Sequence, residues 1–195
     1  MMKNMNEQLF QAINRYAGQW DWIDDCMEWF AQDIVWVLLA IMAILWFSGK
    51  PNHQRLTFYA CLSAAITLFV AAYFISPAVN HPRPFVGHEV NQLIPHAADP
   101  SFPSDHSILA FSLAFSVFFV LRNLGTVMLA LAVLTGLARV YVGVHYPADI
   151  AGAIVLSFLV SLAVFLLRER LEPLPRLTIG LYGRIVKAIP GLPKK

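Results

Sequence analysis

Five long apolar runs constrain the fold of this chain more than any other feature of its sequence. They cover residues 34–48, 56–76, 107–121, 124–138 and 150–167. A helix of roughly 20 apolar residues crosses a hydrocarbon layer of about 30 Å, and these runs reach or approach that length. Only 13% of the residues are charged, against about 25% in soluble domains, so the chain lacks the polar surface that water requires. The sequence therefore predicts an all-α, polytopic membrane bundle of about five to six helices, formed by a single domain over residues 1–195.

The segment before the first apolar run predicts a helix of a different kind. A helix over residues 7–20 would be amphipathic, with an apolar face formed by Leu9, Phe10, Ile13, Tyr16, Ala17 and Trp20. Such a helix lies in the membrane interface and does not cross the bilayer. The next stretch, residues 20–33, contains five acidic residues, so an additional span is not expected there.

The basic residues are distributed unevenly between the two ends of the predicted bundle. With five spans, ten of the 14 Lys and Arg residues fall on one side and four on the other. The positive-inside rule then places the N-terminus outside and the tail, residues 171–195, in the cytoplasm. Residues 77–106 and 139–149 both fall on the outer face. Membrane lipids are the expected surroundings, and a nucleic-acid partner is not expected.

Three polar clusters meet on that outer face. They are NHPRPF at residues 80–85, SFPSDHS at 101–107 and ARVYVGVHYPAD at 138–149. The guanidinium groups of Arg83 and Arg139 suit phosphate or carboxylate oxygens, although a snorkelling side chain explains Arg83 equally well. Arg139 interrupts an apolar sequence, and charges at membrane depth are functional candidates by default. The convergence of the three clusters predicts a binding or catalytic site.

The second cluster, residues 101–107, is expected to begin a helix, and one of its polar residues is not explained by that role. Ser104 is a typical N-cap residue, and Asp105 then lies in the first turn, where the helix dipole favours a negative charge. Capping does not explain His106. Free backbone N–H groups at a helix start bind anions, so a phosphate could bind to the Ser104 hydroxyl and to the amides of Asp105 and His106.

The third cluster contains a histidine and an aspartate four residues apart. Asp149 can reach back to a ring nitrogen of His145, and two interpretations stay open. The pair is either an interfacial ring beside a helix-start acid, or a nucleophilic or basic histidine oriented by its carboxylate. A metal could also bind such a pair, but the outer loops lack a second dense group of ligands. We therefore predict a phosphate site without metal or cofactor and assign no role to His81, His88 and His96.

These motifs, in this order, resemble the type-2 phosphatidic acid phosphatase (PAP2) superfamily. The family motifs are arginine–proline, Pro-Ser-Gly-His and Ser-Arg-x5-His-x3-Asp. They match Arg83-Pro84, Pro103 to His106 and Ala138 to Asp149, within a motif core of residues 76–149. This chain has Ser76 for a family lysine, Asp105 for glycine and Ala138 for serine, so a phosphate donor is missing. The stretch LIPHAADPSFPSDHS is similar to bacterial undecaprenyl-diphosphate phosphatases of the bacitracin-resistance type, in which this aspartate is usual.

The resemblance implies a mechanism with a phosphohistidine intermediate. His145 would attack the terminal phosphorus, and Asp149 would stabilise the developing imidazolium. His106 would protonate the leaving oxygen and then activate water. The phosphoryl oxygens would be held by Arg83, Ser104, Asp105 and Arg139, with the helix N–H groups.

The resemblance also implies a substrate and a place. Hydrolysis of an isoprenoid diphosphate lipid, undecaprenyl diphosphate, at the outer face of the bacterial plasma membrane would recycle the wall-precursor carrier and oppose bacitracin. The residues alone do not separate isoprenoid from glycerolipid, so a broader phosphatase acting on phosphatidylglycerophosphate or phosphatidate is an alternative. A non-catalytic lipid-phosphate binder or permease subunit is another, although binding alone does not need the histidines.

Overall fold

Every regular element is helical in residues 2–188, which are the residues that the computed structural model describes. The helices are α1 (Met2–Asn14), α2 (Asp21–Gln32), α3 (Ile34–Phe47), α4 (Pro51–Val70), α5 (Ser76–Val79), α6 (Pro84–Gly87), α7 (Asp105–Phe118), α8 (Arg122–Tyr141), α9 (Pro147–Leu171) and α10 (Pro173–Ala188). A π-helical turn, Ala71–Ile75, joins α4 to α5. The predicted all-α class is confirmed. The last seven residues of the predicted tail, 189–195, lie outside the described residues.

Several of these helices are long and apolar enough to cross a membrane. The segment Pro51–Gly87 and the helices α8 and α9 each meet that requirement alone. Together α2 and α3 form a further candidate span, bent by 46° between them. The prediction of a polytopic membrane protein is confirmed, and each of the five apolar runs forms a helix.

Helix α7 has only 14 residues, and it lies at the centre of the bundle. It packs against α4, α8 and α9, and nine of its 14 residues are buried. Hydroxyl groups tie it closely to α9, because Ser157 donates to the Ile108 carbonyl over 3.2 Å and Ser161 to the Ser112 carbonyl over 3.3 Å. Small polar residues of this kind let membrane helices approach each other. The neighbouring helices therefore fix the position of the start of α7.

The N-terminal helix is shorter than predicted, because it ends at Asn14 and not at Trp20. The side-chain amide of Asn14 donates 2.8 Å hydrogen bonds to the backbone carbonyls of Asn91 and Tyr141. The chain then turns at Gly18, whose φ of 79° lies in the left-handed region. The expectation of one helix over residues 7–20 is therefore wrong beyond residue 14. The bonds of Asn14 thus connect the end of α1 to Asn91, in the loop after α6, and to Tyr141, at the end of α8.

Candidate active site

A cavity of about 300 Å³ opens at the end of the bundle where α7 begins and α8 ends. Five of the seven predicted site residues line it, namely Arg83, Asp105, His106, Arg139 and His145. The other two, Ser104 and Asp149, are buried behind this wall. A larger cavity of about 460 Å³ lies at the opposite end between α4, α7 and α9, and none of the predicted residues lines it. The residue chemistry therefore points to the smaller cavity.

His145 lies in the short connection between α8 and α9 and is almost completely buried. Its Nε2 is 3.2 Å from Nη1 of Arg83 and 3.4 Å from Nη2 of Arg139. A guanidinium can only donate, so Nε2 is the acceptor and the proton of the neutral ring is on Nδ1. Burial lowers the pKa of His145 to about 4, against the opposing influence of Asp149. His145 is therefore neutral at pH 7, with its lone pair on the nitrogen that contacts both arginines.

Asp149 lies on the other side of the His145 ring, in the first turn of α9. Its Oδ2 is 3.4 Å from Nδ1 of His145 and accepts a 2.8 Å hydrogen bond from the Tyr146 backbone N–H. The Tyr146 bond fixes the carboxylate, so its charge lies beside the nitrogen that carries the proton. The second oxygen, Oδ1, has no hydrogen-bond partner among the described residues, and His81 Nδ1 is 3.7 Å away. The structure therefore brings the predicted His145 and Asp149 pair together.

Arg83 is buried, which does not fit the snorkelling alternative. Its Nε donates to Asp99 over 2.9 Å, and its Nη1 donates to the Val144 carbonyl over 3.0 Å. Burial would raise the pKa of Asp99, but the hydrogen bond and charge of Arg83 outweigh it and hold that pKa below its usual value. Two fixed acceptors therefore set the orientation of the guanidinium that contacts His145.

Arg139 belongs to the last turn of α8 and is also buried. One of its terminal nitrogens faces His145, and its Nε has no acceptor among the described residues. A buried donor without a partner costs about 1–3 kcal/mol, more for a charged group. This cost suits a site that recovers it by binding an anion, and the planar guanidinium matches phosphoryl oxygens.

The start of α7 forms the next part of the cavity wall. Ser104 caps the helix as predicted, since its Oγ accepts from the Ser107 N–H over 3.4 Å. Ser104 does not line the cavity, and the contact of its hydroxyl with phosphate stays a prediction. Asp105 and His106 do line the cavity, where the first N–H groups of the helix provide an anion site.

Sequence reasoning missed two residues of the cavity wall, His96 and Asp99. Both lie in the loop between α6 and α7, and Asp99 holds Arg83. The only signal was a histidine and an aspartate three residues apart in a segment that leads into the second motif. Ser76, which replaces the family lysine, also lines the cavity just after the π-helical turn. The position of the family lysine therefore lies on the wall of this cavity.

Gly143 makes the turn that brings His145 back beside Arg139. Its φ is 86°, and an added Cβ would lie 2.8 Å from the Asn91 carbonyl oxygen. The backbone N–H groups of Val144 and His145 then donate to the Arg139 carbonyl, each over 3.3 Å. The fold thus requires a residue without a side chain at this position.

We predict that Gly143→Ala lowers both stability and activity. The left-handed conformation costs about 1–2 kcal/mol in alanine, and the collision with a backbone oxygen adds roughly 1–3 kcal/mol. Gly18→Ala is the matched control, because Gly18 has a φ of 79° with nothing within 4 Å of an added Cβ. Thermal unfolding in detergent should show a larger decrease in Tm for Gly143→Ala. Equal decreases for both variants would contradict this interpretation.

The fold and the cavity together define a class of protein. Helices that can cross a membrane end at a cavity with two buried arginines, an oriented neutral histidine and a second histidine at a helix start. Groups of these types can bind phosphoryl oxygens and can supply a nucleophile and a proton donor. The class is that of a membrane-embedded phosphatase.

The chain belongs to the PAP2 superfamily, which it matches over residues 56–173. It is 31% identical over 185 residues to undecaprenyl-diphosphatase BcrC of Bacillus subtilis (strain 168), covering 95% of each chain. It is 28% identical over 186 residues to the bacitracin transport permease protein BcrC of Bacillus licheniformis, covering 95% of this chain and 91% of the relative. The crystal structure of LpxE from Aquifex aeolicus has the same fold, with a TM-score of 0.66 and 24% identity over 83% of this chain and 94% of LpxE. The resemblance to this family is confirmed.

Proposed function

We propose that this protein hydrolyses undecaprenyl diphosphate to undecaprenyl phosphate and inorganic phosphate. The observation that carries the proposal is the environment of His145, whose Nε2 lies 3.2 Å and 3.4 Å from two guanidinium groups. A phosphoryl group that accepted from those donors would bring its phosphorus to the nucleophilic nitrogen. Similarity to BcrC of Bacillus subtilis along 95% of the chain supports a lipid diphosphate as the substrate.

The first chemical step transfers the terminal phosphoryl group to His145. The Nε2 lone pair forms a bond to phosphorus while the bond from phosphorus to the bridging oxygen breaks. The ring then carries a positive charge, which the Asp149 carboxylate stabilises from 3.4 Å. Arg83 and Arg139 hold the non-bridging oxygens as charge shifts in the transition state.

His106 moves the protons in this scheme. It donates a proton to the bridging oxygen as undecaprenyl phosphate leaves, and it then removes a proton from the water that hydrolyses the phosphohistidine. The first N–H groups of α7 bind the phosphoryl oxygens, and Asp105 and His106 begin this helix on the cavity wall. Because His145 must start neutral and His106 protonated, the rate should have a bell-shaped dependence on pH.

We place the site on the extracytoplasmic face of the bacterial plasma membrane, with the C-terminal tail in the cytoplasm. The asymmetric distribution of the 14 Lys and Arg residues supports this orientation. The π-helical turn supports access from lipid, since Ala72 lines the cavity while Tyr73 and Phe74 are exposed. An isoprenoid tail can stay in the bilayer while its diphosphate enters the cavity. Hydrolysis there recycles the wall-precursor carrier and removes the diphosphate that bacitracin captures, which gives resistance.

Similarity to the permease protein of Bacillus licheniformis favours a second candidate, a non-catalytic lipid-phosphate binder or transporter subunit. Binding requires the two arginines and the helix amides. It does not require a neutral histidine with a buried carboxylate behind it, and that pair costs stability to bury. The geometry at His145 and Asp149 therefore favours catalysis.

The proposed substrate can be tested with purified full-length protein and a panel of lipid phosphates. We expect phosphate release from undecaprenyl diphosphate with a kcat/KM at least about tenfold above that for phosphatidylglycerophosphate or phosphatidate. The variant His145→Ala serves as the blank for contaminating phosphatases. Faster turnover of a glycerolipid would identify a broader lipid phosphatase, and binding without any phosphate release would identify the non-catalytic alternative.

A further inference from the structure

His96 lines the same cavity as the proposed catalytic residues, although it belongs to none of the three motifs. Its ring centroid lies 6.2 Å from that of His145, with the two rings at 74° to each other. His96 is not among the direct contacts of His145 Nε2, which are with Arg83 and Arg139. It lies beside the expected place of the terminal phosphoryl group, where the second phosphoryl group of a diphosphate would continue.

The loop that carries His96 is held in place by the rest of the protein. The Leu93 N–H donates to the Val142 carbonyl over 3.2 Å, and the Ser101 N–H donates to the His81 carbonyl over 2.8 Å. Ile94 is buried against the end of α8, with 3% of its surface exposed. These contacts lie on both sides of His96, so its ring is positioned before a substrate binds.

The contacts of the His96 ring leave one nitrogen for a ligand. Its Nδ1 lies 3.2 Å from the Ala97 carbonyl and 3.7 Å from Oδ1 of Asp99. Both neighbours are acceptors, so Nδ1 carries a proton. The other nitrogen, Nε2, can then donate to a phosphate only when the ring is an imidazolium. Burial, with Arg83 and Arg139 nearby, lowers the pKa of His96 and outweighs the opposing influence of the Ala97 carbonyl and Asp99. The ring therefore takes up its second proton when the negative charge of a phosphate is bound beside it.

The cavity has room for more than one phosphoryl group. Its volume of about 300 Å³ equals that of roughly ten water molecules at about 30 Å³ each. A single phosphate has four oxygens and a diphosphate has seven. Arg83 and Arg139 both contact His145 and thus serve the terminal phosphoryl group. The phosphate next to the lipid needs another cation.

We propose that His96 binds this second phosphate as an imidazolium and makes the site selective for lipid diphosphates over lipid monophosphates. The inference rests on the proposed function and names the residue that determines its specificity. When the bond from phosphorus to the bridging oxygen breaks, the leaving phosphate gains negative charge, which His96 stabilises. A monophosphate substrate has no group at this position and gains nothing from His96.

The test compares His96→Asn with the wild-type protein on farnesyl diphosphate and farnesyl phosphate. We expect kcat/KM for the diphosphate to decrease about tenfold or more, because a hydrogen bond to a charged group is lost. Turnover of the monophosphate should change less than about twofold. His96→Lys should recover part of the diphosphate preference because it restores a cation. His88→Asn, an exposed histidine at the start of the same loop, is the matched control.

A second measurement does not depend on the lipid part of the substrate. Inorganic diphosphate should inhibit His96→Asn about tenfold more weakly than it inhibits the wild type, while inhibition by inorganic phosphate should not change. Equal losses for both substrates and both inhibitors would overturn the inference, because they would indicate a general structural role. If the wild type prefers diphosphates and His96→Asn keeps that preference, only this inference fails. A wild type that hydrolyses the diphosphate without preferring it would also overturn only this inference, whereas a wild type that releases no phosphate from a lipid diphosphate would overturn the proposed function as well.

Discussion

Replacing His145 with alanine is expected to lower kcat for lipid phosphate hydrolysis on the order of 10³-fold or more. The loss is large because His145 is the only neutral nucleophile in the described residues whose lone pair contacts both Arg83 and Arg139. In His145→Ala, a water molecule in place of the imidazole could not form the covalent phosphohistidine intermediate. The arginines would still bind the substrate, so KM should change much less than kcat.

The intermediate provides a direct measurement for this prediction. Substrate labelled in its terminal phosphate should transfer the label to the wild-type protein during a rapid quench, in an acid-labile, base-stable form typical of phosphohistidine. His145→Ala should take up no label, and the control His88→Ala should behave like the wild type because His88 lies outside the cavity wall. Activity of His145→Ala near that of the wild type would contradict the mechanism.

In the same labelling experiment, a variant of the proposed acid–base residue His106 should give a different result from His145→Ala. Without His106 the intermediate forms slowly and its hydrolysis is slower still, so His106→Gln should retain label for longer than the wild type. The difference is expected because His106 acts in both steps, as the acid when the phosphohistidine forms and as the base when water hydrolyses it.

The helices and most of the site could be predicted from the sequence because their signals are local. Each apolar run forms a helix, and the motif residues converge because topology alone brings the ends of neighbouring helices together. The cap at Ser104 and the pairing of His145 with Asp149 depend on spacings of three and four residues. Such spacings can be read directly from the chain.

The remaining features depend on contacts between distant parts of the chain. The end of α1 at Asn14 is set by bonds to Asn91 and Tyr141, and no local pattern marks it. The position of Asp99 against Arg83 follows from a loop that is folded back by backbone bonds at Leu93 and Ser101. That the Ser104 hydroxyl binds phosphate stays a prediction, because a hydroxyl that accepts from the Ser107 N–H can still donate its own proton.

Asp149→Asn is expected to lower kcat about 10²–10³-fold while leaving the fold intact. One oxygen, Oδ2, accepts from the Tyr146 N–H and also faces Nδ1 of His145. The asparagine oxygen can occupy this position, so the bond to Tyr146 and the tautomer of His145 are both kept. The amide nitrogen then replaces Oδ1, which has no hydrogen-bond partner among the described residues. Only the negative charge that we propose stabilises the phosphohistidine is lost.

Asp149→Ala provides the comparison that separates this charge from the structural role of the carboxylate. Alanine also removes the acceptor of the buried Tyr146 N–H, which should cost about 1–2 kcal/mol of stability in addition to the catalytic loss. Thermal unfolding and kcat should be measured for both variants, with Asp25→Asn on the exposed face of α2 as the control. We expect the Tm to decrease for Asp149→Ala alone and kcat to decrease for both. If Asp149→Asn kept the wild-type kcat, the carboxylate would serve only to hold the start of α9, because its charge would have no part in the reaction.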